Sequence, residues 1–232
     1  MTKRTFQQYC PIARALDVVG ERWSLLIVRE LLVGPKRYTD LRQALPGMWT
    51  NLLADRLRQL EAAGVIRRAE LPPPAARTVY ELTERGRELQ GVLFALARWG
   101  LPLLTEDGDG DGEPPVATAV VVGLRAFFRP EAVEADERYE LRLAGTTWTA
   151  AVHGGHGGGL ELRPGAPDAP AATLETTPAA LLDLRLGTID LPTAEEDGRF
   201  RLQGAPDAVL RFRRTFSLDT ATTSSAGRPR PR

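Results

Sequence analysis

The chain has 232 residues, more than a single domain usually contains, and 43% of them are hydrophobic, enough for two modest cores. Its longest apolar run, near residues 116–124, is far too short to span a bilayer, and residues 1–10 lack the apolar core of a signal peptide. One cysteine excludes an internal disulfide, so we expect a cytoplasmic protein of two domains with no membrane partner.

The net charge of zero conceals two halves of opposite sign. Lys and Arg outnumber Asp and Glu by 16 to 10 in residues 1–105, whereas they are outnumbered by 14 to 20 in residues 106–232. A basic segment suits a polyanionic partner, and an acidic one is repelled by phosphate. We therefore expect any contact with nucleic acid to lie in the first half of the chain.

Residues 41–64, LRQALPGMWTNLLADRLRQLEAAG, carry the most informative pattern of the first half. They predict a short helix, a turn at Pro46-Gly47 and a second helix, which is the layout of a DNA-reading helix-turn-helix. On a 3.6-residue repeat, one stripe of the second helix is leucine: Leu53, Leu57 and Leu60. We expect these leucines to hold the helix on a core and Gly64 to end it in the left-handed conformation.

The opposite stripe of the second helix is polar and carries the candidate base contacts. Thr50 is predicted to be the N-cap, whose hydroxyl accepts from a free amide at the positive end of the helix. Thr50, Asn51 and Arg58 are placed for the major groove, where Asn can pair an adenine edge and Arg a guanine edge. Asp55 shares this face and either accepts from a cytosine amine or orients Arg58.

Two strand-like runs follow at about residues 66–71 and 77–82, on either side of a Pro/Ala loop. A helix-turn-helix followed by a basic hairpin is a winged helix. Candidate phosphate contacts lie before the helix pair, on its second helix and on the hairpin: Lys36, Arg37, Arg56, Arg67, Arg68 and Arg77. The alternative for each is an ordinary solvated charge.

The flanking segments CPIARALDVVGERWSLLIVRELLVGPKRYTDL and VYELTERGREL complete a recognisable pattern. Over about residues 8–104 the chain is similar to the HxlR-type winged-helix regulators, relatives of the MarR regulators. The resemblance rests on Cys10-Pro11, Gly20 to Trp23, Gly34-Pro35, Arg56-Leu57, Leu82-Thr83 and Gly86. Met48 and Trp49 stand where the family more often has small or polar residues, which either places an aromatic ring against the backbone or buries it.

The resemblance implies a homodimeric transcription factor, with repression the expected mode. The first and last helices of such domains usually form the interface, here about residues 12–19 and 86–101. An apolar stripe on the last helix agrees with this: Leu89, Val92, Leu93, Leu96 and Trp99. The alternative is that the stripe serves only the core of its own domain. In a dimer, two recognition helices about one DNA turn apart favour a palindromic operator.

Cys10 is a candidate sensor, because some HxlR-type regulators use this position to detect oxidants, quinones or aldehydes. Lys3, Arg4 and Arg14 are close in sequence and would lower the pKa of the thiol. The alternative is a small buried hydrophobe at the start of the dimer helix.

Residues 105–115, TEDGDGDGEPP, predict an acidic, extended linker between domains at residues 1–104 and 116–218. Three of its aspartates imitate the start of a calcium loop, but Thr118 stands at the twelfth position, where a bidentate Glu is required. We therefore expect no metal there. Residues 219–232 are poor in apolar side chains and predict a disordered tail.

The second domain alternates strands and short helices. Its pattern predicts a helix at residues 118–128, strands near residues 139–143, 148–152 and 160–162, and a helix that begins at Thr177-Pro178 and is closed by Gly187. A helix at residues 192–197, a strand at 199–204 and a helix at 206–216 follow. The strand meander predicts an antiparallel sheet, so we expect an α+β unit.

This order resembles the sterol carrier protein-like domain, with Ala205-Pro206 where that family commonly has an Asp after the glycine. The resemblance implies an apolar tunnel for a small hydrophobic ligand between the sheet and the helices. The candidate lining residues are Phe127, Phe128, Trp148, Leu162, Leu181, Leu184, Phe200 and Phe212. The alternative is that the same residues fill the core of a domain of this size.

Other chemistry has little support. His153 and His156 make an incomplete metal site, and no nucleophile elbow, phosphate loop or dinucleotide fingerprint is present in the sequence. We therefore expect a non-enzymatic, dimeric regulator without a cofactor, in which the first domain binds DNA and the second senses an apolar molecule. The alternatives are a regulator that responds through Cys10, and a dimeric lipid-binding or small-molecule carrier.

Overall fold

The computed structural model describes residues 5–71, 77–106, 117–155 and 158–219. The chain divides into two compact units, Met1–Ala97 and Arg98–Arg232. Several predicted features fall outside the described residues: most of the acidic linker with its calcium-like aspartates, the Pro/Ala loop of the hairpin, Lys3, Arg4, His156 and residues 220–232. Within the described ranges, no helix is both long and apolar enough to cross a membrane.

Helices account for most of the chain before residue 107. They are α1 (Pro11–Val19), α2 (Ser24–Leu31), α3 (Tyr38–Ala44), α4 (Thr50–Ala62), α5 (Glu84–Arg87), α6 (Leu89–Gly100) and α7 (Leu103–Glu106). The predicted helix pair is confirmed as α3 and α4, with Gly47 at φ +77 in the turn and Gly64 at φ +69 after the second helix. Thr105 and Glu106, which the sequence assigns to the linker, are the last residues of α7.

The core of the first unit explains why α4 holds a fixed orientation. Leu53, Leu57 and Leu60 are buried as predicted. They share one apolar cluster with Ile27, Val28, Leu41, Leu45 and Met48 from α2, α3 and the turn. Burial of each such side chain stabilises the fold by about 1.5–3 kcal/mol relative to exposure. The polar stripe of α4 is therefore directed away from this core.

The predicted hairpin is confirmed as two antiparallel strands, β1 (Ile66–Glu70) and β2 (Thr78–Leu82). Ile66 pairs with Leu82 at its base and Glu70 with Thr78 toward its tip. Lys36 adds a bridge on the outer side, since its N–H donates to the Tyr80 carbonyl at 2.9 Å and its carbonyl accepts from the Tyr80 N–H at 2.8 Å. This bridge attaches the loop before α3 to the hairpin.

The chain after residue 116 folds as an α+β unit, as predicted. Its elements are α8 (Ala117–Ala126), a 3₁₀ turn (Pro130–Ala132), β3 (Glu137–Leu143), β4 (Thr146–His153), β5 (Gly159–Pro164), β6 (Ala172–Thr176), α9 (Pro178–Leu186), α10 (Leu191–Glu196), β7 (Phe200–Gly204) and α11 (Pro206–Thr215). The Thr177 hydroxyl accepts from the Ala180 N–H at 3.1 Å, and Gly187 ends α9 at φ +71. Both predicted ends of this helix are confirmed.

The sheet of this unit has the order β5-β4-β3-β6-β7. The expected antiparallel meander holds for β3, β4 and β5, but a wholly antiparallel sheet was the wrong prediction, because β3 pairs with β6 in parallel. The sequence pattern predicted no strand at β6, a five-residue run between a Pro/Ala-rich segment and the cap of α9. Its buried residues Ala172, Leu174 and Thr176 place it inside the sheet.

One face of the sheet carries the core of this unit. Tyr139 and Leu141 on β3, Trp148 and Ala150 on β4, and Leu174 on β6 are all buried. The ring of Tyr139 meets that of Phe212 on α11 edge to face, with centroids 4.9 Å apart. Among the alternate residues of the strands, Arg142 and Glu175 are exposed, whereas Glu140 is buried and accepts hydrogen bonds from Arg142 and Thr173. The helix α11 therefore packs on the apolar face of the sheet, and the other face is polar.

Candidate nucleic-acid interface

The exposed face of α4 carries Asn51 and Arg58, on the side of the helix opposite the buried leucines. The Arg58 side chain is 70% exposed and forms an ion pair with Asp55, one turn earlier. An exposed ion pair of this kind contributes only about 0.2–1 kcal/mol, so the guanidinium can exchange Asp55 for another partner at small cost. The sequence offered two roles for Asp55, and the structure brings it into contact with Arg58.

The start of α4 differs from the prediction. Trp49 is the N-cap, with extended backbone at φ −69 and ψ 144, and its side chain makes no capping hydrogen bond. The assignment of Thr50 as N-cap was wrong, because Thr50 is already the first helical residue. The Thr50 carbonyl accepts from the Tyr38 hydroxyl at 2.9 Å, a contact between α3 and α4 that the sequence did not suggest.

Met48 and Trp49 take opposite positions in the turn. Met48 is buried and joins the core cluster, whereas the Trp49 side chain is 82% exposed. Burial of Met48 anchors the turn, and the Trp49 side chain is directed into solvent at the N-terminus of α4.

Arg56 lies on α4 but is directed into the protein, with only 12% of its side chain exposed. Its Nε donates to the Arg22 carbonyl at 3.2 Å, its Nη1 to Gln59 at 2.6 Å, and its Nη2 to the Glu21 carboxylate at 2.8 Å. These bonds hold the turn between α1 and α2 against α4. The guanidinium is therefore engaged within the protein.

Arg22 is a cation near the helix pair that the sequence analysis missed. It is exposed, and its guanidinium lies 5.6 Å from the ring centroid of Trp23. Trp23 has φ +80, a left-handed conformation that is rare outside glycine and that no local sequence signal announces for tryptophan. The position of Arg22 depends on this backbone geometry, so only the structure identifies Arg22 as a candidate contact residue.

Lys36 and Arg37, before α3, are both paired. The Lys36 Nζ lies 3.2 Å from the carboxylate of Glu30, which is fully buried and also contacts Arg29 at 2.9 Å. The Arg37 Nε lies 3.0 Å from Asp40. Burial alone would raise the pKa of Asp40, but hydrogen bonds from the Arg37 backbone and guanidinium, together with nearby Lys36, lower it.

The hairpin arginines remain accessible. Arg67 lies 2.6 Å from Glu81, and Arg68 lies 3.4 Å from Glu61 of α4 and over the ring of Tyr80. Both side chains are more than half exposed, and Arg77 is exposed just after the residues that are not described. The pair between Arg68 and Glu61 connects the hairpin to α4.

Thr83 and Gly86 fix the base of the hairpin against the end of α4. The Thr83 hydroxyl donates to the Gly64 carbonyl at 2.6 Å and accepts from the Gly86 N–H at 3.1 Å. A Cβ on Gly86 would lie 2.1 Å from the Val65 carbonyl oxygen, so only glycine fits there without displacement of the backbone. This contact explains the place of Gly86 in the sequence pattern.

The outer helices expose apolar side chains: Ile12 and Leu16 on α1, and Val92, Leu96 and Trp99 on α6. Leu93, from the same predicted stripe, is buried, and Leu89 is half-buried. Cys10 is half-buried at the N-cap of α1. Of the cations expected near it, Arg14 lies 3.8 Å from Asp17, while Lys3 and Arg4 are outside the described residues.

Comparison with known proteins identifies the part of the chain that precedes α8. Residues 18–107 match the family described as HxlR-like helix-turn-helix. An uncharacterized HTH-type transcriptional regulator, sll1512 of Synechocystis, is 44% identical over 98 residues, which are 42% of this chain and 73% of the relative. The chain belongs to the HxlR-like helix-turn-helix family.

Other relatives of this HxlR-like protein match the same part of the chain. YvaP of Bacillus subtilis, an uncharacterized HTH-type transcriptional regulator, is 36% identical over 93 residues, 40% of this chain and 86% of its own length. The reduced form of the B. subtilis transcriptional regulator YodB is 34% identical, with 44% of this chain and all of that chain covered at a TM-score of 0.38. The family match ends at residue 107, before α8.

The second unit of the HxlR-like protein holds the eight predicted ligand contacts. Six of them are buried: Trp148, Leu162, Leu181, Leu184, Phe200 and Phe212. Phe127 and Phe128 are half-buried. Arg185 lies 4.6 Å over the Phe127 ring and donates to the Ser217 carbonyl at 2.7 Å; burial, together with the charge of Arg129, lowers its pKa to about 10.

Two clefts of this unit lie away from those eight residues. One, of about 370 Å³, is lined by Asp136, Glu137, Arg138 and His153 at the ends of β3 and β4, and the other, of about 260 Å³, by Arg142, Glu175, Arg199 and Arg201. The His153 Nδ1 lies 3.6 Å from Asp136. In the part of the chain that the structure describes, no group of three His, Cys, Asp or Glu residues is placed to hold a metal ion.

Proposed function

We propose that this HxlR-type regulator recognises operator DNA through the exposed face of α4, with the hairpin as a wing beside it. The observation that carries the proposal is the pairing of a buried leucine stripe with an exposed Asn51 and a 70% exposed Arg58 on one helix. Asn and Arg are the side chains that pair adenine and guanine edges bidentately. A helix held so firmly by its opposite face can enter the major groove as a rigid element.

The accessible cations are assigned either to base edges or to phosphates. Arg58, with Asn51 and Thr50, is proposed for base edges, and Arg37, Arg67, Arg68 and Arg77 for phosphates, as the sequence suggested. Arg22 is added to the proposed phosphate contacts, because it is exposed beside the turn that Arg56 holds against α4. Arg56 and Lys36 are left out, since their donors are engaged with Glu21 and Glu30. Asp55 is proposed to orient Arg58.

The protein is proposed to act as a homodimer, with repression the expected mode. What supports this is the exposure of apolar side chains on α1 (Ile12 and Leu16) and, separately, on α6 (Val92, Leu96 and Trp99). Patches of exposed apolar side chains mark interaction surfaces in soluble proteins. An isologous contact between two copies would relate two recognition helices by a two-fold axis and favour a palindromic operator.

The second unit is proposed to bind a small hydrophobic molecule, as the likeness to the sterol carrier protein-like domain implies. Support comes from the aromatic and leucine side chains between its sheet and its helices, of which Phe127 and Phe128 remain partly accessible. A bound ligand can change DNA affinity only if it favours one arrangement of the dimer over another. Native mass spectrometry of the purified chain tests this part: a retained apolar compound supports it, and a ligand-free protein counts against it.

A response through Cys10 is the second candidate. The half-buried thiol lies at the start of α1, two residues before exposed Ile12 in the proposed dimer surface, so its oxidation would alter that surface. If DNA binding by a Cys10→Ser variant responds to oxidants, quinones or aldehydes as the natural chain does, this candidate is excluded.

The experiment that tests the main proposal is selection of DNA by the full-length chain from a library of random-sequence duplexes. We expect enrichment of an inverted repeat whose half-sites lie about one helical turn apart. Affinity for the enriched duplex should fall steeply as salt rises, because phosphate contacts release counterions. Failure to enrich any sequence would contradict the proposed function.

A further inference from the structure

We infer that Trp49 is a base-reading residue that contacts the C5 methyl group of a thymine in the major groove. This inference rests on the proposed function, and it adds a specificity contact that the polar side chains of α4 do not supply. The observation behind it is a large apolar side chain, 82% exposed, at the N-cap of the recognition helix.

The Trp49 indole contributes little to the packing of its own unit, because the residue is 82% exposed. In the described ranges of the chain, the Trp49 side chain takes part in no hydrogen bond, ion pair or ring contact. The other tryptophans differ: Trp148 is buried, Trp23 is half-buried beneath Arg22, and Trp99 lies on the α6 surface proposed for the dimer. A full aromatic side chain carries about 150–250 Å² of surface whose burial is favourable, so a partner that covers the exposed indole gains from the contact.

The backbone around Trp49 is fixed on both sides. The preceding residue, Met48, is buried in the core. The Trp49 carbonyl accepts from the Leu53 N–H at 3.0 Å, and the Thr50 carbonyl accepts from the Tyr38 hydroxyl at 2.9 Å. The backbone that carries the indole is thus preorganised at the N-terminus of α4, and contact of the indole with a partner costs little backbone ordering.

The position and chemistry of Trp49 select its partner. The N-terminal residues of a recognition helix reach the base edges, and Trp49 directly precedes Thr50 and Asn51. An indole presents a broad apolar surface and a single N–H donor. The apolar feature of the major groove is the thymine methyl group, so this methyl is the complementary element.

The test removes one methyl group at a time. In the duplex that the natural chain enriches, each thymine is replaced singly by deoxyuridine, and binding of the full-length protein and of Trp49→Ala is measured by fluorescence anisotropy. We expect one replacement in each half-site to weaken binding of the natural protein about fourfold, the equivalent of one buried methyl. In Trp49→Ala the same replacement should have no effect, while the other replacements act as before.

Trp49→Phe is the matched control, because it keeps an aromatic surface at the N-cap and should keep most of the deoxyuridine effect. Thermal unfolding of each variant verifies that the first unit is folded, which is expected because Trp49 is 82% exposed and its truncation removes little buried surface. The inference is overturned if Trp49→Ala binds the duplex as tightly as the natural chain, or if it weakens every duplex equally and remains sensitive to the same deoxyuridine. If the natural chain enriches no duplex, the proposed function itself fails, and this inference fails with it.

Discussion

The Nη2 atom of Arg56 lies 2.8 Å from the Oε2 atom of Glu21, and this pair joins the recognition helix to the turn between α1 and α2. Arg58, two residues later on the same helix, projects into solvent with Asp55 as its neighbour. One turn of α4 therefore carries an arginine that belongs to the scaffold and another that is available to a partner. The two residues make a matched pair for mutation.

The first prediction contrasts these two arginines. Arg56→Ala should lower the free energy of unfolding of the first unit by about 1–3 kcal/mol, because it removes several hydrogen bonds of a nearly buried guanidinium. Arg58→Ala should leave stability nearly unchanged and reduce discrimination at one base pair of the operator about tenfold or more. Calorimetry and binding to single-base variants of the selected duplex measure these effects. Equal effects of the two variants on discrimination would show that the roles are assigned incorrectly.

The second prediction concerns the wing. Arg68→Ala should weaken binding to all sequences by a similar factor, because a phosphate contact carries no sequence information. The slope of log affinity against log salt should become less steep by about 0.9 for each phosphate contact removed. Arg163→Ala, an exposed arginine on β5 of the acidic second unit, is the control and should leave the slope unchanged.

The third prediction concerns the buried carboxylate of Glu30. Glu30→Gln should destabilise the first unit by about 2 kcal/mol. The substitution removes the negative charge that Arg29 and Lys36 both contact, and water reaches these two cations only partly. Glu61→Gln is the control, since Glu61 is partly exposed and its contact with Arg68 is 3.4 Å long. We expect that variant to lie within about 0.5 kcal/mol of the natural chain. Calorimetry of both variants would refute the prediction if they were equally stable.

The fourth prediction compares two glycines. Gly86→Ala should cost about 1–3 kcal/mol, because its Cβ would stand 2.1 Å from the Val65 carbonyl oxygen and the backbone would have to shift. Gly91→Ala, in α6 with open space around the added carbon, should instead stabilise the helix by up to about 1 kcal/mol. Shifts of the same sign in thermal unfolding would contradict this account.

The fifth prediction is a pH dependence in the second unit. The side-chain hydrogen bond from Arg211 lowers the pKa of Glu137 below its ordinary value of 4.5, while burial and the Glu137 carboxylate raise the pKa of Tyr139. As the pH falls, Glu137 is protonated in the unfolded chain at a higher pH than in the folded chain. The stabilisation by the pair is therefore complete above pH 4.5 and is lost as the pH drops through the lower pKa that Glu137 has in the folded chain.

Arg211→Met should therefore be less stable than the natural chain near neutral pH, and the difference should shrink as the pH falls below 4.5. Unfolding by urea at a series of pH values measures that difference. A gap between the two proteins that stays constant into strong acid would show that the pair does not contribute through the charge of Glu137.

The sequence predicted what depends on periodicity and local turn chemistry. The leucine stripe of α4, the glycine that ends it and the cap of α9 follow from side-chain spacing and backbone preference alone, and the structure confirms them. The start of α4 was placed one residue late, because the capping preference of Thr50 was overridden by the burial of Met48, which fixes where the chain turns into the helix.

What the sequence could not supply were contacts across long separations. Nothing local shows that Arg56 reaches Glu21, 35 residues away, rather than solvent. Likewise, β6 has the length and composition of a loop, and it becomes a strand because β3 and β7 provide hydrogen bonds on both sides. Side-chain pattern identified the polar face of α4, while tertiary packing decided which cations remain on it.

Native mass spectrometry of the protein with its selected duplex reports the numbers of chains and duplexes in one complex. We expect a complex of two chains on one duplex that weakens as ionic strength is raised. A complex with a single chain, or no complex with any duplex, would contradict a dimeric DNA-binding regulator.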